Sequence, residues 1–168
     1  MAADELIYQT ARAGSPVNPG LPAALSYLLV AQAKHETGNF TSNFYKKYNN
    51  AFGYSYVSGG KYQTGPGSIA DNGQPIASYP NVKSSVYEII DWIYRRRAEG
   101  KFPQDLTTIT TPEQYATLLK QSGYYGDTLN NYLNGLKKFF LSNPVATAAG
   151  GTGLLLIAGI LVYLYIKK

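Results

Sequence analysis

Apolar side chains recur at helical spacing in several segments of the chain, and these segments begin and end at residues typical of helix termini. A short N-terminal pattern is broken by Pro16 and Pro19. A second helix is predicted to begin after Pro22 and to end at Thr37. Proline suits the start of a helix, and Gly38 then stands at the usual C-terminal cap position. Both segments are therefore expected to be helical.

Three further helices are predicted after residue 80. Ser85 and Glu88 have the spacing of a capping box at the start of the first. Pro112 stands at the first position of the next, and Asp127 is expected to cap the last. The apolar faces of the first and last of these helices comprise Val86, Ile89, Ile90, Ile93 and Tyr94, and Leu129, Leu133, Leu136 and Phe140.

The segment between the second and third predicted helices, from Tyr54 to Tyr79, has a different composition, rich in Tyr, Ser, Gly and Pro. Short alternating runs are separated by Ser-Gly-Gly, Gly-Pro-Gly and Asp-Asn-Gly sequences, each of which is typical of a turn. The pattern predicts a small antiparallel β-meander. The chain up to about residue 140 is thus expected to be mostly helical with one small inserted sheet.

The C-terminal segment has the pattern of a membrane span. No charged residue occurs from residue 145 to residue 166. A helix of this length would measure roughly 33 Å, about the thickness of a bilayer core. Tyr163 and Tyr165 stand where an interfacial aromatic belt is expected, and a lysine pair lies on each side. The pattern predicts one C-terminal transmembrane helix that contacts the lipid bilayer through residues 145–166.

The charge and composition exclude several classes of function. The formal net charge is +5, but residues 1–136 contain 11 Lys and Arg against 10 Asp and Glu, so no nucleic-acid partner is expected. The chain has no cysteine and one histidine, His35, which excludes a disulfide scaffold, a thiol enzyme and a Cys- or His-cluster metal site. Neither a metal nor a cofactor is predicted, so catalysis would rest on carboxylates, tyrosines or the backbone.

Glu36 differs from the other acidic residues, most of which are explained by helix caps, first turns or ion pairs. It lies four residues after Gln32 and seven after Leu29, at the end of the apolar stripe of the second helix. Burial and the negative end of the helix dipole both disfavour its charged form. Its pKa is therefore expected to be raised, as a general acid at neutral pH requires. An exposed glutamate in a fraying last turn fits the pattern equally well.

A family resemblance begins at these residues. Residues 31–38, Ala-Gln-Ala-Lys-His-Glu-Thr-Gly, and residues 49–53, Asn-Asn-Ala-Phe-Gly, resemble two signatures of the flagellar and autolysin-type glucosaminidases that cut peptidoglycan. These signatures are AQ-x-x-x-E-[ST]-G and N-N-x-F-G. The similarity continues at residues 78–80 and 84–86, and at residues 122–127 it resembles the late G-Y-x-x-D motif. It covers roughly residues 22 to 140.

The resemblance implies an α+β fold: a mostly helical lysozyme-like domain with a small antiparallel β-meander, here followed by one C-terminal transmembrane helix. The expected organisation is an N-terminal helical segment at residues 1–21 and a glucosaminidase domain at residues 22–141. A transmembrane anchor and basic tail would occupy residues 142–168.

The resemblance also assigns roles to individual residues. Glu36 would be the general acid on the glycosidic oxygen, and Tyr124 would support it as an aromatic side chain near the scissile bond. Phenol rings suit stacking against sugars, although several of the tyrosines could simply pack the sheet. The substrate-binding residues expected on this basis are Gln32, Asn50, Tyr54, Tyr56, Tyr62 and Tyr79.

A second catalytic carboxylate is not evident. Between Glu36 and Glu88 the chain offers only Asp71, which falls in the Asp-Asn-Gly turn sequence and is therefore a weak candidate. Related enzymes often carry a glutamate just before the comparable turn, where this chain has Ile69 and Ala70. A single essential acid is therefore predicted. The attacking group would be the N-acetyl group of the substrate, or its 6-hydroxyl as in lytic transglycosylases.

The predicted activity is hydrolysis of β-1,4 glycosidic bonds of peptidoglycan, of the N-acetylglucosaminidase type. Lytic transglycosylase activity, an inactive wall-binding module and a membrane spacer are the alternatives. Because no signal peptide precedes the predicted anchor, the expected location is that of a single-pass protein in the virion membrane of a membrane-containing bacteriophage. The bacterial cell envelope is the alternative. Virion or envelope proteins are the expected protein partners.

Overall fold

The structure is a computed structural model that describes residues 1–70 and 73–141. Within this part of the chain, six α-helices and two β-strands follow one another, with one short 3₁₀ helix at Leu106–Thr108 before α5. The helices are α1 (Ala3–Ala13), α2 (Ala23–Glu36), α3 (Asn43–Tyr48), α4 (Val82–Ala98), α5 (Pro112–Gln121) and α6 (Leu129–Leu141), and the strands are β1 (Gly65–Ile69) and β2 (Pro75–Ser78).

Helix α2 forms the centre of the helical body. It is apolar on most of its circumference, and its residues 25–26 and 28–33 are all buried. A helix that is apolar all round must be covered on every side. Helices α1 and α6 pack along it, and α5 contacts it as well. The predicted start of α2 after Pro22 is confirmed, and its last helical residue is Glu36.

Helix α1 belongs to the same core. Ile7 and Ala11 are fully buried, and α1 packs on both α2 and α4. Leu21, in the connection to α2, is also fully buried, and its backbone N–H donates to the carbonyl of Ala11 at 2.8 Å. We infer that residues 1–21 and the rest of the helical body form one unit.

Among α4, α5 and α6, the start of one helix agrees with the sequence prediction and the starts of two differ. The capping box at the start of α5 is present, formed by Thr111 and Gln114, with Pro112 at the first position. The cap of α4 is Asn81, whose side chain accepts from the backbone N–H of Ser84 at 3.0 Å. Glu88 therefore lies inside α4 and does not cap it. Likewise Thr128, one residue later than predicted, accepts from the N–H of Asn131 before α6.

The predicted meander is reduced to a two-stranded sheet. Strands β1 and β2 pair antiparallel, with Gly65 opposite Ser78 and an irregularity before Ile69. A further contact with β2 is an isolated bridge from Ser55 to Ile76. The chain between this bridge and β1 turns back on itself, because Gly60 and Gln63 close two local turns through their backbone N–H groups. The Gly-Pro-Gly sequence, predicted as a turn, forms the start of β1.

The prediction of a membrane-anchored protein is corrected. None of the helices in residues 1–70 and 73–141 combines the length and the apolar character that a bilayer crossing requires. The predicted span, residues 145–166, and the expected lipid contact fall outside the residues that the structure describes. A single-pass location in a virion membrane or a cell envelope is therefore not supported, and the fold class is that of the helical body with its two-stranded sheet.

Candidate active site

A cleft of about 610 Å³ lies between the helical body and the loop that leads into the sheet. Side chains from α2, α4 and α6, the 52–57 loop and the turn after α5 line it. Tyrosine, tryptophan and acidic residues dominate its wall. The ionisable and aromatic lining residues are His35, Glu36, Phe52, Tyr54, Glu88, Trp92, Arg95, Tyr124, Tyr125, Asp127 and Tyr132.

Glu36 stands at the last position of α2, where the helix ends against the cleft. Its Oε1 accepts a hydrogen bond from the Tyr132 hydroxyl at 2.6 Å. Its Oε2 faces Gly53, and a β-carbon at that position would lie 3.5 Å from it. Gly53 has a φ of 65°, a conformation that favours glycine. The chain thus passes the carboxyl without placing a side chain in front of it.

Burial by the surrounding protein raises the pKa of Glu36 to about 7, and the hydrogen bond from Tyr132 opposes part of that shift. A carboxyl with this pKa keeps its proton for much of the time at neutral pH. The expected raised pKa is therefore present, and the exposed, fraying glutamate is not. Glu36 can give a proton to a group that enters the cleft.

Tyr124 ties two segments of the cleft wall together. Its hydroxyl donates to the backbone carbonyl of Phe52 at 2.6 Å. Its ring makes edge contacts with Trp92, at 5.3 Å between ring centroids, and with Tyr54, at 5.9 Å. Tyr124 therefore fixes the turn after α5 against the loop that carries Gly53, and it faces the cleft beside Glu36.

Two of the residues expected to bind substrate lie beneath the cleft and do not line it. Asn50 is fully buried, and its side-chain amide donates to the carbonyls of Tyr54 and Ala77 at 2.8 and 3.0 Å. Gln32 is also fully buried, and its Oε1 accepts from the Tyr115 hydroxyl at 2.6 Å. Asn50 shapes the loop around Gly53, and Gln32 supports α2 one turn before Glu36.

The four tyrosines of the sheet region take different places. Tyr54 lines the cleft, and its hydroxyl has no hydrogen-bond partner among the described residues. The Tyr79 ring is buried, and its hydroxyl donates to Glu88 at 2.6 Å. Tyr62 donates to Asp91 at 2.7 Å, away from the cleft. Tyr56 is half-buried and does not line the cleft either. The structure therefore brings Tyr54 alone of these four into contact with the open cleft.

The predicted second carboxylate, Asp71, lies outside the described residues. The structure instead brings Glu88 of α4 into the cleft wall. One oxygen of Glu88 accepts from Tyr79, and the other accepts from the Gln63 amide at 2.8 Å. Burial raises the pKa of Glu88. Both oxygens are thus already engaged by donors that tie the sheet region to α4.

The sequence analysis did not assign Glu88, Trp92 and Arg95 to the site, although they form one stripe of α4. Their spacing of four and three residues would have placed them on a common face next to the apolar one. Tyr132 was missed as well. It belongs to the buried stripe of α6 with Leu136 and Phe140, and its partner Glu36 is 96 residues away in the chain, so no local pattern joins them.

No group of three or more His, Asp or Glu side chains is arranged to hold a metal ion in residues 1–70 and 73–141. The chemistry that the described cleft offers is proton transfer from a carboxylic acid, within a wall of aromatic rings. That combination, set between a helical body and a small sheet, is typical of glycoside hydrolases.

Comparison with known families identifies the chain more closely. A glucosaminidase family model, described as mannosyl-glycoprotein endo-beta-N-acetylglucosaminidase, matches residues 22–143. The chain belongs to the glucosaminidase family and is a glycoside hydrolase that acts on peptidoglycan. Searches among curated proteins and among solved structures gave no match. The resemblance seen in the sequence motifs is confirmed.

Proposed function

We propose that the enzyme is an endo-β-N-acetylglucosaminidase, with Glu36 as its general acid. The observation that carries this proposal is the Glu36 carboxyl, which opens on the cleft beside Gly53 while one of its oxygens is held by Tyr132. The raised pKa, about 7, supports the same role, because the acid form must be populated where the enzyme works.

In the proposed reaction, Glu36 transfers its proton to the glycosidic oxygen as the bond from that oxygen to the anomeric carbon breaks. The carbonyl oxygen of the substrate's 2-acetamido group attacks the anomeric carbon from the other side. Water then adds to the anomeric carbon, expels the acetamido oxygen and returns a proton to Glu36. The product carries N-acetylglucosamine at its reducing end. This scheme needs only one protein carboxyl. It is consistent with Glu88, whose two oxygens already accept hydrogen bonds from Tyr79 and Gln63.

Aromatic side chains supply the remaining part of the proposed site. The rings of Tyr54, Trp92 and Tyr124 form a connected set along the cleft. Sugar rings present C–H faces that stack on such surfaces. The Tyr54 hydroxyl itself is buried, so it is the ring of Tyr54 that faces the cleft. We propose that these three residues hold the glycan, whereas Gln32 and Asn50 act through the positions of α2 and of the 50–54 loop.

The products distinguish this activity from its alternatives. Purified peptidoglycan is digested and the fragments are analysed by mass spectrometry after borohydride reduction. The proposal predicts reduced N-acetylglucosamine ends. Reduced N-acetylmuramic acid ends would show cleavage of the other β-1,4 bond. Anhydro-muramic acid ends would show the lytic transglycosylase reaction, in which the 6-hydroxyl attacks. Either result would contradict the proposed bond specificity.

A further inference from the structure

The two oxygens of the Glu36 carboxyl have different surroundings. Oε1 accepts from Tyr132 of α6 at 2.6 Å, and Oε2 faces the open position beside Gly53. A carboxylic acid that is free to rotate would exchange these oxygens and spread its proton over both. Here one oxygen is held from the protein interior and the other is left on the cleft side.

The ring of Tyr132 is fixed on two sides. Tyr125 stacks on it with 3.8 Å between ring centroids and an interplanar angle of 8°. His35 meets it edge-on at 4.9 Å. Only 4% of Tyr132 is exposed. Aromatic pairs in these geometries restrain each other beyond the effect of burial. The Tyr132 hydroxyl is therefore held against Glu36 at the C-terminal end of α2.

Close packing of α6 on α2 maintains this arrangement. Gly135 lies one turn after Tyr132, and a β-carbon there would overlap the His35 ring at Cε1 and Nδ1. Glycine therefore allows α6 to approach α2 at the point where Tyr132 reaches Glu36. Glycine inside a helix is unfavourable by about 1 kcal/mol relative to alanine. Its presence at this contact is explained by the space that the His35 ring occupies.

The direction of the hydrogen bond follows from Gln32. Its Oε1 is used by Tyr115, which leaves Nε2 as a pure donor without a partner within bonding distance among the described residues. Burial, followed by the neighbouring Glu36 carboxyl, raises the pKa of the Tyr132 hydroxyl, and the Gln32 amide opposes part of that rise. Since an amide N–H only donates, the Gln32 amide offers no acceptor for the Tyr132 proton, and the Tyr132 hydroxyl donates to Glu36.

We propose that Tyr132 is a positioning residue that holds Oε1 of Glu36 and thereby makes Oε2 the oxygen that delivers the proton to the glycosidic bond. This inference rests on the proposed role of Glu36 as general acid. Tyr132 does not contact the substrate in this account. It fixes the plane of the carboxyl and, by donating to it, holds the proton affinity of Glu36 below the value that burial alone would give.

The test compares Tyr132→Phe with the matched control Tyr125→Phe. Phenylalanine at position 132 keeps the stack and the edge contact but removes the donor to Glu36. The control removes a hydroxyl from the stacked partner ring, which donates to the carbonyl of Ala116 and not to Glu36. Activity on purified peptidoglycan is followed from pH 5 to pH 9 for both variants and the parent.

Loss of the donor destabilises the charged form of Glu36, so its pKa rises. The active enzyme carries the protonated acid. In Tyr132→Phe, the pH at which activity falls on the alkaline side should therefore increase by about one pH unit. The maximal rate should fall about tenfold with KM unchanged, because orientation is lost and no substrate contact is removed. Tyr125→Phe should leave the pH of this fall unchanged.

Other ionisable groups around Glu36 are unchanged in the comparison, so they do not account for a difference between the two variants. They lie on α2, the 52–57 loop, α4, α5 and the segment before α6, and they are His35, Tyr54, Glu88, Arg95, Tyr115, Tyr124 and Asp127.

An unchanged pH of the alkaline fall in activity and an unchanged rate in a folded Tyr132→Phe protein would overturn the inference. If Tyr132→Phe loses too much activity for a profile, titration of the Glu36 carboxyl carbon by ¹³C NMR gives the same pKa comparison. Glu36→Gln separates the two levels of the account. An active Glu36→Gln protein would refute the general acid itself, whereas an inactive one with no shift in Tyr132→Phe would refute only the role of Tyr132.

Discussion

The position of Glu36 in the fold destabilises the protein when its carboxyl is charged. A glutamate at a helix C-terminus meets the negative end of the dipole, and burial further penalises its charge. Its pKa is raised from 4.5 to about 7. The folded protein therefore keeps a proton that the unfolded chain releases between these two values. Stability contributed by this group is complete below pH 4.5 and is lost as the pH rises through 7.

Glu36→Gln should remove this pH-dependent loss. The difference in free energy of unfolding between the variant and the parent should grow in favour of the variant by roughly 3 kcal/mol from pH 4 to pH 8. Urea unfolding at the two pH values measures it. Glu113→Gln serves as a control of opposite sign, because the ion pair with Lys137 at 2.6 Å lowers the pKa of Glu113. A Glu36→Gln protein whose advantage is independent of pH would contradict the raised pKa.

At the scale of elements, the contact between α2 and α6 decides the geometry of the acid. The sequence predicts both helices, because α2 has a continuous apolar stripe and α6 an amphipathic one. It also predicts Glu36 at the interior end of α2. It does not predict the pairing of α6 with that end. In the sequence, Gly135 would be expected only to weaken the helix. The structure shows that glycine at this position leaves room for the His35 ring.

Gly135→Ala should test this contact. Alanine normally stabilises a helix interior relative to glycine, but here its methyl group would overlap the His35 ring. We expect a loss of about 1 to 3 kcal/mol in the free energy of unfolding, and reduced activity as Tyr132 moves away from Glu36. Gly126→Ala is the control for stability, since a β-carbon at position 126 meets nothing within 4 Å.

The double variant His35→Ala, Gly135→Ala identifies the cause. With the ring removed, the alanine at position 135 should be tolerated, so the two changes together should cost less than their sum. Strictly additive losses in thermal or urea unfolding would show that the helices are not in contact at this point.

The sheet illustrates the limit of turn patterns. Asp-Asn-Gly and Gly-Pro-Gly both resemble turns, yet the second lies in β1. A proline has no N–H for a ladder and is tolerated at a sheet edge, which is where β1 lies in a two-stranded sheet. The position of Glu88 was misjudged for a related reason. The capping-box spacing with Ser85 is present in the sequence, but Asn81 caps the helix one turn earlier.

At the scale of the whole molecule, the family match and the folded unit have different limits. The match begins at residue 22, whereas α1 contributes Ile7 and Ala11 to the core that surrounds α2. An amphipathic N-terminal helix followed by two prolines looks like a separate segment in the sequence. Only the packing of α1 on α2 and α4 shows that it covers apolar surface of the catalytic domain.

Removal of residues 1–21 should therefore abolish the cooperative unfolding transition or make the protein insoluble. The deletion takes away Ile7, Ala11 and Leu21, all fully buried, and leaves the apolar sides of α2 and α4 in water. Circular dichroism during thermal unfolding measures the outcome. Removal of Met1 alone, which is 89% exposed, is the control. A shortened protein with the melting temperature of the parent would mean that α1 is dispensable.

The central claim is that one carboxyl, Glu36, donates the proton for cleavage of the glycan. Its direct measurement is the rate of solubilisation of purified peptidoglycan by Glu36→Gln, with folding checked by circular dichroism. The amide keeps the shape of the side chain and can accept from Tyr132, but it has no acidic proton. The account predicts a fall in rate of at least about 10²-fold in a folded protein. A Glu36→Gln protein that retains more than about a tenth of the parent rate would contradict it.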